Sequence, residues 1–173
     1  MNRANLITGL MLLSCGLLLS ACAMFRITDV NNRHSLIQAD SSRPHATVYF
    51  IRPKTEHPMG FAGNVLDVEA DGEDLMALAK GEYTMVRLKP RDVRVTLRNR
   101  TQVRGRWELT EMARSRQFSF EAGKVYFVLA DMFNGEFRGV HFTPKAISLY
   151  EAKHAVQHLE PAGQARQHPI AKL

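Results

Sequence analysis

Only two cysteines, Cys15 and Cys22, occur in the 173 residues, and both lie in or beside the first apolar stretch. No pair remains beyond residue 22 to staple a fold by disulfide, so packing alone must hold any domain that follows. Tryptophan occurs once, at Trp107. Familiar catalytic signatures are missing too: there is no G-x-S-x-G turn, phosphate-cradling glycine loop or G-x-G-x-x-G fingerprint. Ser115 and Ser119 have no histidine near them in sequence, and a nucleophilic serine needs a base within hydrogen-bond reach. These absences predict a chain that is not an enzyme and binds no cofactor.

What is present begins with that apolar stretch. Residues 6–19 are almost wholly apolar, broken by Thr8, Gly9, Ser14 and Gly16, and Ser20-Ala21 then precede Cys22. Spanning a bilayer takes about 20 consecutive apolar residues. A shorter interrupted run closed by small residues favours cleavage instead. Leu18-Leu19-Ser20-Ala21-Cys22 resembles the lipobox of bacterial lipoproteins. That resemblance implies a signal peptide over residues 1–21 and a diacylglycerol on the Cys22 thiol. It also implies a further acyl chain, such as palmitate, on the new amine; more than one chain is what stable anchoring requires. Leu13-Ser14-Cys15 offers a second match, but its apolar run is shorter. Ala23, rather than aspartate, follows the cysteine; by the same resemblance this implies an outer-membrane lipoprotein facing the periplasm.

With the signal removed, roughly 150 residues remain, enough for one domain with a full core. Apolar residues make up 45% of the chain and its formal net charge is +6. A basic surface suits anionic lipid or lipopolysaccharide, whereas nucleic acid is not a partner expected in that compartment.

Residues 22–45 carry the anchor cysteine and then Asn, Ser, Asp and Pro without periodicity, and read as a tether, the alternative being that Ile27, Val30, Leu36 and Ile37 dock on the domain. From Ala46 the pattern changes. Thr47-Val48-Tyr49-Phe50-Ile51 suits a strand apolar on both faces. Leu66, Val68 and Ala70 alternate with Asp67, Glu69 and Asp71, and Asp71-Gly72 marks a turn. Further strands are expected at 74–79, 83–88 and 93–97. In the last of these Val93, Val95 and Leu97 point inward and Arg94, Thr96 and Arg98 outward. Residues 99–116 read as an irregular polar loop pinned by Trp107, Leu109 and Met112. Phe118, Phe120 and the continuous run 125–129 resume the strands, and Asn134-Gly135 turns into 137–142. About seven or eight short strands predict a single antiparallel β-sandwich of immunoglobulin or transthyretin kind over residues 46–142. Thr143-Pro144, then Leu149, Ala152, Val156 and Leu159 at 3-4-3 spacing, predict a C-terminal helix over 143–160, the alternative being that Ala146 to Leu149 prolong the preceding strand. Residues 161–173 read as a flexible tail.

The order Ala46-Thr-Val-Tyr-Phe-Ile-Arg-Pro53, Val68-Glu-Ala-Asp-Gly72, Gly81-Glu-Tyr83, Leu88-Lys-Pro90 and Phe118-Ser-Phe-Glu-Ala-Gly-Lys-Val-Tyr-Phe-Val128 resembles an uncharacterised family of bacterial lipoproteins. Their domain of unknown function is akin to the PEGA-type β-sandwich. The resemblance covers about residues 46–142 and departs at Arg91-Asp92 and at the insertion 99–116. It implies a fold and a location; it carries over no catalytic residues.

Candidate ligand sets are few. His154 and His158 lie four apart, but zinc needs a third or fourth ligand, and solvated helix histidines account for them. Asp131, Asn134 and Glu136 lack the ligand spacing of an EF-hand. No metal is expected. The prominent cluster is basic: Arg87, Arg91, Arg94, Arg98, Arg100, Arg104 and Arg106, with Lys89 among them and Arg114 and Arg116 close behind. Guanidinium groups pair bidentately with phosphate or carboxylate, although basic residues on an edge strand can also serve only to block aggregation. Three readings follow. The first is a lipid-anchored module that binds an envelope protein. The second is a surface that takes lipopolysaccharide or phospholipid headgroups through these arginines. An envelope hydrolase comes last.

Overall fold

A strand that is apolar on both sides needs a core on each side, and Ala46–Ile51 has both. In the computed structural model, which describes residues 36–54, 65–103, 107–135 and 139–173, this segment is β1, the middle strand of a five-stranded sheet. The chain continues through β2 (Val65–Ala70), β3 (Glu73–Ala79), β4 (Glu82–Leu88), β5 (Arg91–Gln102), β6 (Leu109–Phe120), β7 (Val125–Gly135) and β8 (Gly139–Ile147). Helix α1 (Leu149–Ala155) and the short β9 (Glu160–Pro161) follow. The sheets run β8-β7-β1-β4-β9 and β3-β2-β5-β6, and they stack as a β-sandwich with a C-terminal helix.

Strand alternation sends Val48 and Phe50 of β1 into the space between the sheets. There they join Leu66, Val68, Val93, Val95, Leu97, Val128 and Phe142. Tyr49 and Ile51 point the opposite way, into a second core with Tyr83, Met85 and Phe127. Ala152 of α1 and Val156 at its C-cap, with Ala165 and Ile170, cover that second core. Among the described residues, the five-stranded sheet is therefore buried on both faces and the four-stranded sheet on one.

Several expectations need correction. The sandwich is not wholly antiparallel: β7 pairs parallel with β1, from Thr47↔Val125 to Ile51↔Leu129, because the chain enters the first sheet again from the far side. Residues 99–102 and 109–116 are not a loop. They continue a long ribbon in which Arg91 to Gln102 pairs with Phe120 back to Leu109. Trp107 pins nothing; it is 97% exposed, and Leu109 is also exposed. Residues 143–147 belong to β8, not to the helix. Pro144 is tolerated there because β8 is an edge strand and needs no N–H on its free side. The helix starts at Ser148, whose hydroxyl accepts from Glu151 N–H while the Glu151 carboxylate accepts from Ser148 N–H.

The two terminal segments also differ. Residues 161–173 form short 3₁₀ turns, Gly163–Arg166 and Ile170–Lys172, rather than a loose tail. Tyr49 Oη donates to His168 C=O at 2.8 Å and Thr84 Oγ1 to Ala162 C=O at 3.0 Å, which ties these turns to β1 and β4. Within the expected tether, Ile37 is buried. Lys89 N–H donates to its carbonyl at 2.8 Å and Ala39 N–H to Arg87 C=O at 2.9 Å. The folded domain thus includes residue 37. Cys22 and the signal segment lie outside the described residues.

Candidate functional site

The outer face of the four-stranded sheet carries most of the charged candidates. With Val93, Val95 and Leu97 directed into the core, the pleat directs Arg94, Thr96, Arg98 and Arg100 of β5 outward. Beside them β2 contributes Asp67 and Glu69, with Asp67 opposite Arg98 and Glu69 opposite Thr96. On the other flank β6 sets Glu111 opposite Arg100 and Ser115 opposite Thr96. The result is an acidic row on β2, a basic row on β5 and a mixed row on β6.

Internal pairing uses part of this charge. Arg98 Nη2 forms an ion pair with the buried Glu69, and its Nε lies 3.5 Å from Glu111 Oε1. Arg91 Nη2 meets Asp71 Oδ2 at 2.8 Å, and Asp71 Oδ1 accepts from Arg94 N–H at 2.8 Å. These bonds hold Asp71 at φ +50, next to Gly72 at φ +84, in the tight turn that joins β2 to β3. Thr96 Oγ1 and Ser115 Oγ are 2.8 Å apart. Arg94 is exposed and forms no ion pair with a described residue.

Where β2 parts from β5, an open recess of about 290 Å³ is lined by Val65, Asp67, Arg98, Asn99, Arg100 and Glu111. Burial raises the Asp67 carboxyl above its ordinary range, Asp74 adds to this, and Arg98 and Arg100 oppose it. Glu69 is also raised, first by burial, with Arg98 opposing and Asp74 contributing. The sign of the linkage is definite. As pH falls, Glu69 takes up its proton in the folded chain before it does in the unfolded chain. The group therefore favours folding as pH drops toward 4.5 and disfavours it as pH rises. Urea unfolding of the full chain and of Glu69→Gln, compared from about pH 7 to about pH 5, should show the difference moving in favour of the natural chain. A difference that stays constant with pH would contradict the raised carboxyl.

The arginine cluster read from the sequence divides. Arg94, Arg98 and Arg100 share the open face, and Arg91 lies at its end. Arg87 does not belong to it: β4 is in the other sheet, and Arg87 Nη1 donates to Gln164 Oε1 at 2.7 Å under the C-terminal cover. Arg104 and Arg106 lie outside the described residues. Arg114 and Arg116 are exposed on edge strand β6. His154 is on α1 with its ring against Tyr150, and His158 lies beyond the helix end. Asp131 and Asn134 sit along β7, and Glu136 is outside the described residues. Among the described residues no three or more His, Cys, Asp or Glu side chains come together as a metal site, and no helix is long and apolar enough to cross a membrane.

The sequence reading did not foresee the acidic row facing the arginines. Its alternation was visible in Asp67 and Glu69, but the β2–β5 pairing that makes it a partner of Arg98 is not a local signal. No family model, no curated protein and no solved structure matches this chain.

Proposed function

We propose that this chain is a lipid-anchored module of the bacterial envelope, non-catalytic, which binds an envelope protein through the open face of the four-stranded sheet. One observation carries the reading. The outer face of the five-stranded sheet is closed by α1 and the C-terminal turns, while the opposite outer face is uncovered by any described element and bears the row Arg94, Arg98 and Arg100.

The anchor supports this arrangement. At about 3.3 Å per residue, a lipid on Cys22 lies within roughly 50 Å of Ile37. Ile37 docks beside Lys89, at the start of β5. From there β5 runs to Gln102, roughly 36 Å away at strand rise. The charged face thus extends away from the point of attachment, where a partner standing off the membrane can reach it. An outer-membrane, periplasm-facing location follows from the lipobox resemblance, and the likeness to the uncharacterised β-sandwich lipoproteins agrees with it.

Cross-linking in native envelopes tests the proposal with the full chain. A discrete adduct should form and be lost in Arg94→Glu/Arg100→Glu, because both side chains lie on the exposed face. An adduct unchanged by this double reversal would contradict it. Arg98 is unsuitable for such a test, since its partners Glu69 and Glu111 are within the protein itself.

The second reading, an anionic lipid or lipopolysaccharide ligand, is favoured by Arg94, which has no ion-pair partner among the described residues. It predicts saturable binding to lipopolysaccharide or anionic liposomes that weakens with salt and is lost in the same double variant.

A further inference from the structure

Among the described residues the two sheets end in four edge strands: β8 and β9 in one, β3 and β6 in the other. An edge strand turns alternate N–H and C=O groups away from its sheet, where another strand can take them. β9 is two residues long. At the start of β8 the sandwich closes its own edge, and farther along Pro144 withholds an N–H from it. Val140 N–H donates to Thr101 Oγ1 at 3.0 Å, and Asn99 Nδ2 donates to Val140 C=O at 2.9 Å. This approach is close enough that a Cβ on Gly139 would come within 2.7 Å of the Thr101 side chain. At β3, Arg52 Nη1 donates to Leu78 C=O at 2.7 Å.

Apart from Arg114, whose own guanidinium turns onto a carbonyl of the strand, no described residue bonds the backbone of β6 in these ways. Its 12 residues pair with β5 without a register shift. The strand contains no proline, and residues 113–117 are exposed in succession. Arg114 and Arg116 stand two apart, so the pleat sets them on one side of the strand. Neither has an ion-pair partner among the described residues; Arg114 Nη1 turns onto the carbonyl of Ala113 at 3.0 Å. The other side carries Ala113 and Ser115, with Glu111 beyond.

We infer that β6 accepts an extended peptide segment as a fifth strand of this sheet, with acidic side chains at alternate positions beside Arg114 and Arg116 and uncharged ones beside Ala113 and Ser115. The inference rests on the reading of the chain as a protein-binding module and states how the partner is held. Backbone hydrogen bonds supply the attachment, and alternate side chains set register and choice. Opposite charges across a strand pair attract and like charges repel. A second copy is the wrong occupant for the same reason: antiparallel self-pairing about Ser115 sets Arg114 of one copy against Arg116 of the other.

The probe is a capped peptide of alternating Glu and Thr, titrated by fluorescence anisotropy against the full chain in detergent. Three comparisons accompany it: the Lys–Thr counterpart, the Glu–Thr peptide N-methylated at alternate residues along one edge and separately along the other, and Arg114→Glu/Arg116→Glu. The affected residues are exposed, and circular dichroism is the check that the variant is folded. Saturable Glu–Thr binding is expected, weaker by about tenfold or more in the double variant. The Lys–Thr peptide should not bind, and N-methylation of one edge but not the other should abolish binding, because only the edge facing β6 needs its N–H groups. Equal binding of both N-methylated forms would show attraction by charge without strand addition and would overturn the inference, as would no saturable binding. A cross-linked adduct that depends on Arg94 and Arg100 yet survives Arg114→Glu/Arg116→Glu would keep the binding reading and remove this one.

Discussion

Phe127→Ala should lower the folding free energy by about 3–5 kcal/mol, the cost of deleting a large buried ring and leaving a cavity. Phe127 is 7% exposed and lies on β7 in the core beneath α1. Its ring stacks on that of Tyr49, with centroids 5.5 Å apart. The parallel pairing of β1 with β7 places Tyr49 directly opposite Phe127, so the ring contact depends on that register. Loss of the ring should also loosen α1 and the Ile170 turn, which share the cluster. Urea unfolding of the full chain measures the loss, and amide exchange at 149–156 should quicken in the same variant. A loss below about 1 kcal/mol would mean that this face is not a core.

Arg52→Ala is expected to cost about 3 kcal/mol, because it leaves a buried acceptor without its charged donor and opens a void. Arg52 is fully buried just beyond β1. It donates to Leu78 C=O on β3 and lies 5.2 Å from the centre of the Phe142 ring on β8. One side chain thus bridges strands of both sheets. Burial lowers its pKa to about 10, with Glu82 opposing, so it stays charged at neutral pH. Confining that charge has a cost, which is relieved only as pH rises through about 10. Arg52→Met keeps most of the volume and removes the confined charge. Its loss should be less than half that of the alanine variant and unchanged between about pH 5 and 8. Equal losses for the two variants would show that volume plays no part.

Arg52 also shows where a sequence stops being legible. Arg52-Pro53 reads as the end of a strand, which it is, but nothing local says that the arginine turns back into the sandwich. Local alternation was enough for the face of β1, the in–out pattern of β2 and β5, and the Asp71-Gly72 turn. It failed along the far half of β5 because the inward positions there are Asn99 and Thr101, polar residues whose task is to bond the backbone of β8. Polar residues facing inward look like a loop when their partner strand is unknown. In β8, Pro144 imitated a helix start, while the real signal, Ser148 with Glu151 three residues on, was present in the sequence. The C-terminal cover uses apolar residues as sparse as Ala162, Ala165 and Ile170, too few to show a period. Division of the arginines followed from sheet membership: Arg87 and Arg91 are four apart in sequence but belong to opposite sheets.

The most direct test of the open face as the binding surface is site-specific photo-cross-linking in cells. A photoreactive residue is placed in the full chain at Arg94, at Arg100, or at Tyr150 on α1, which is 77% exposed on the covered side. The account predicts one discrete protein adduct from positions 94 and 100 and none from 150. Adducts from 150 alone, or equally from all three, would contradict it.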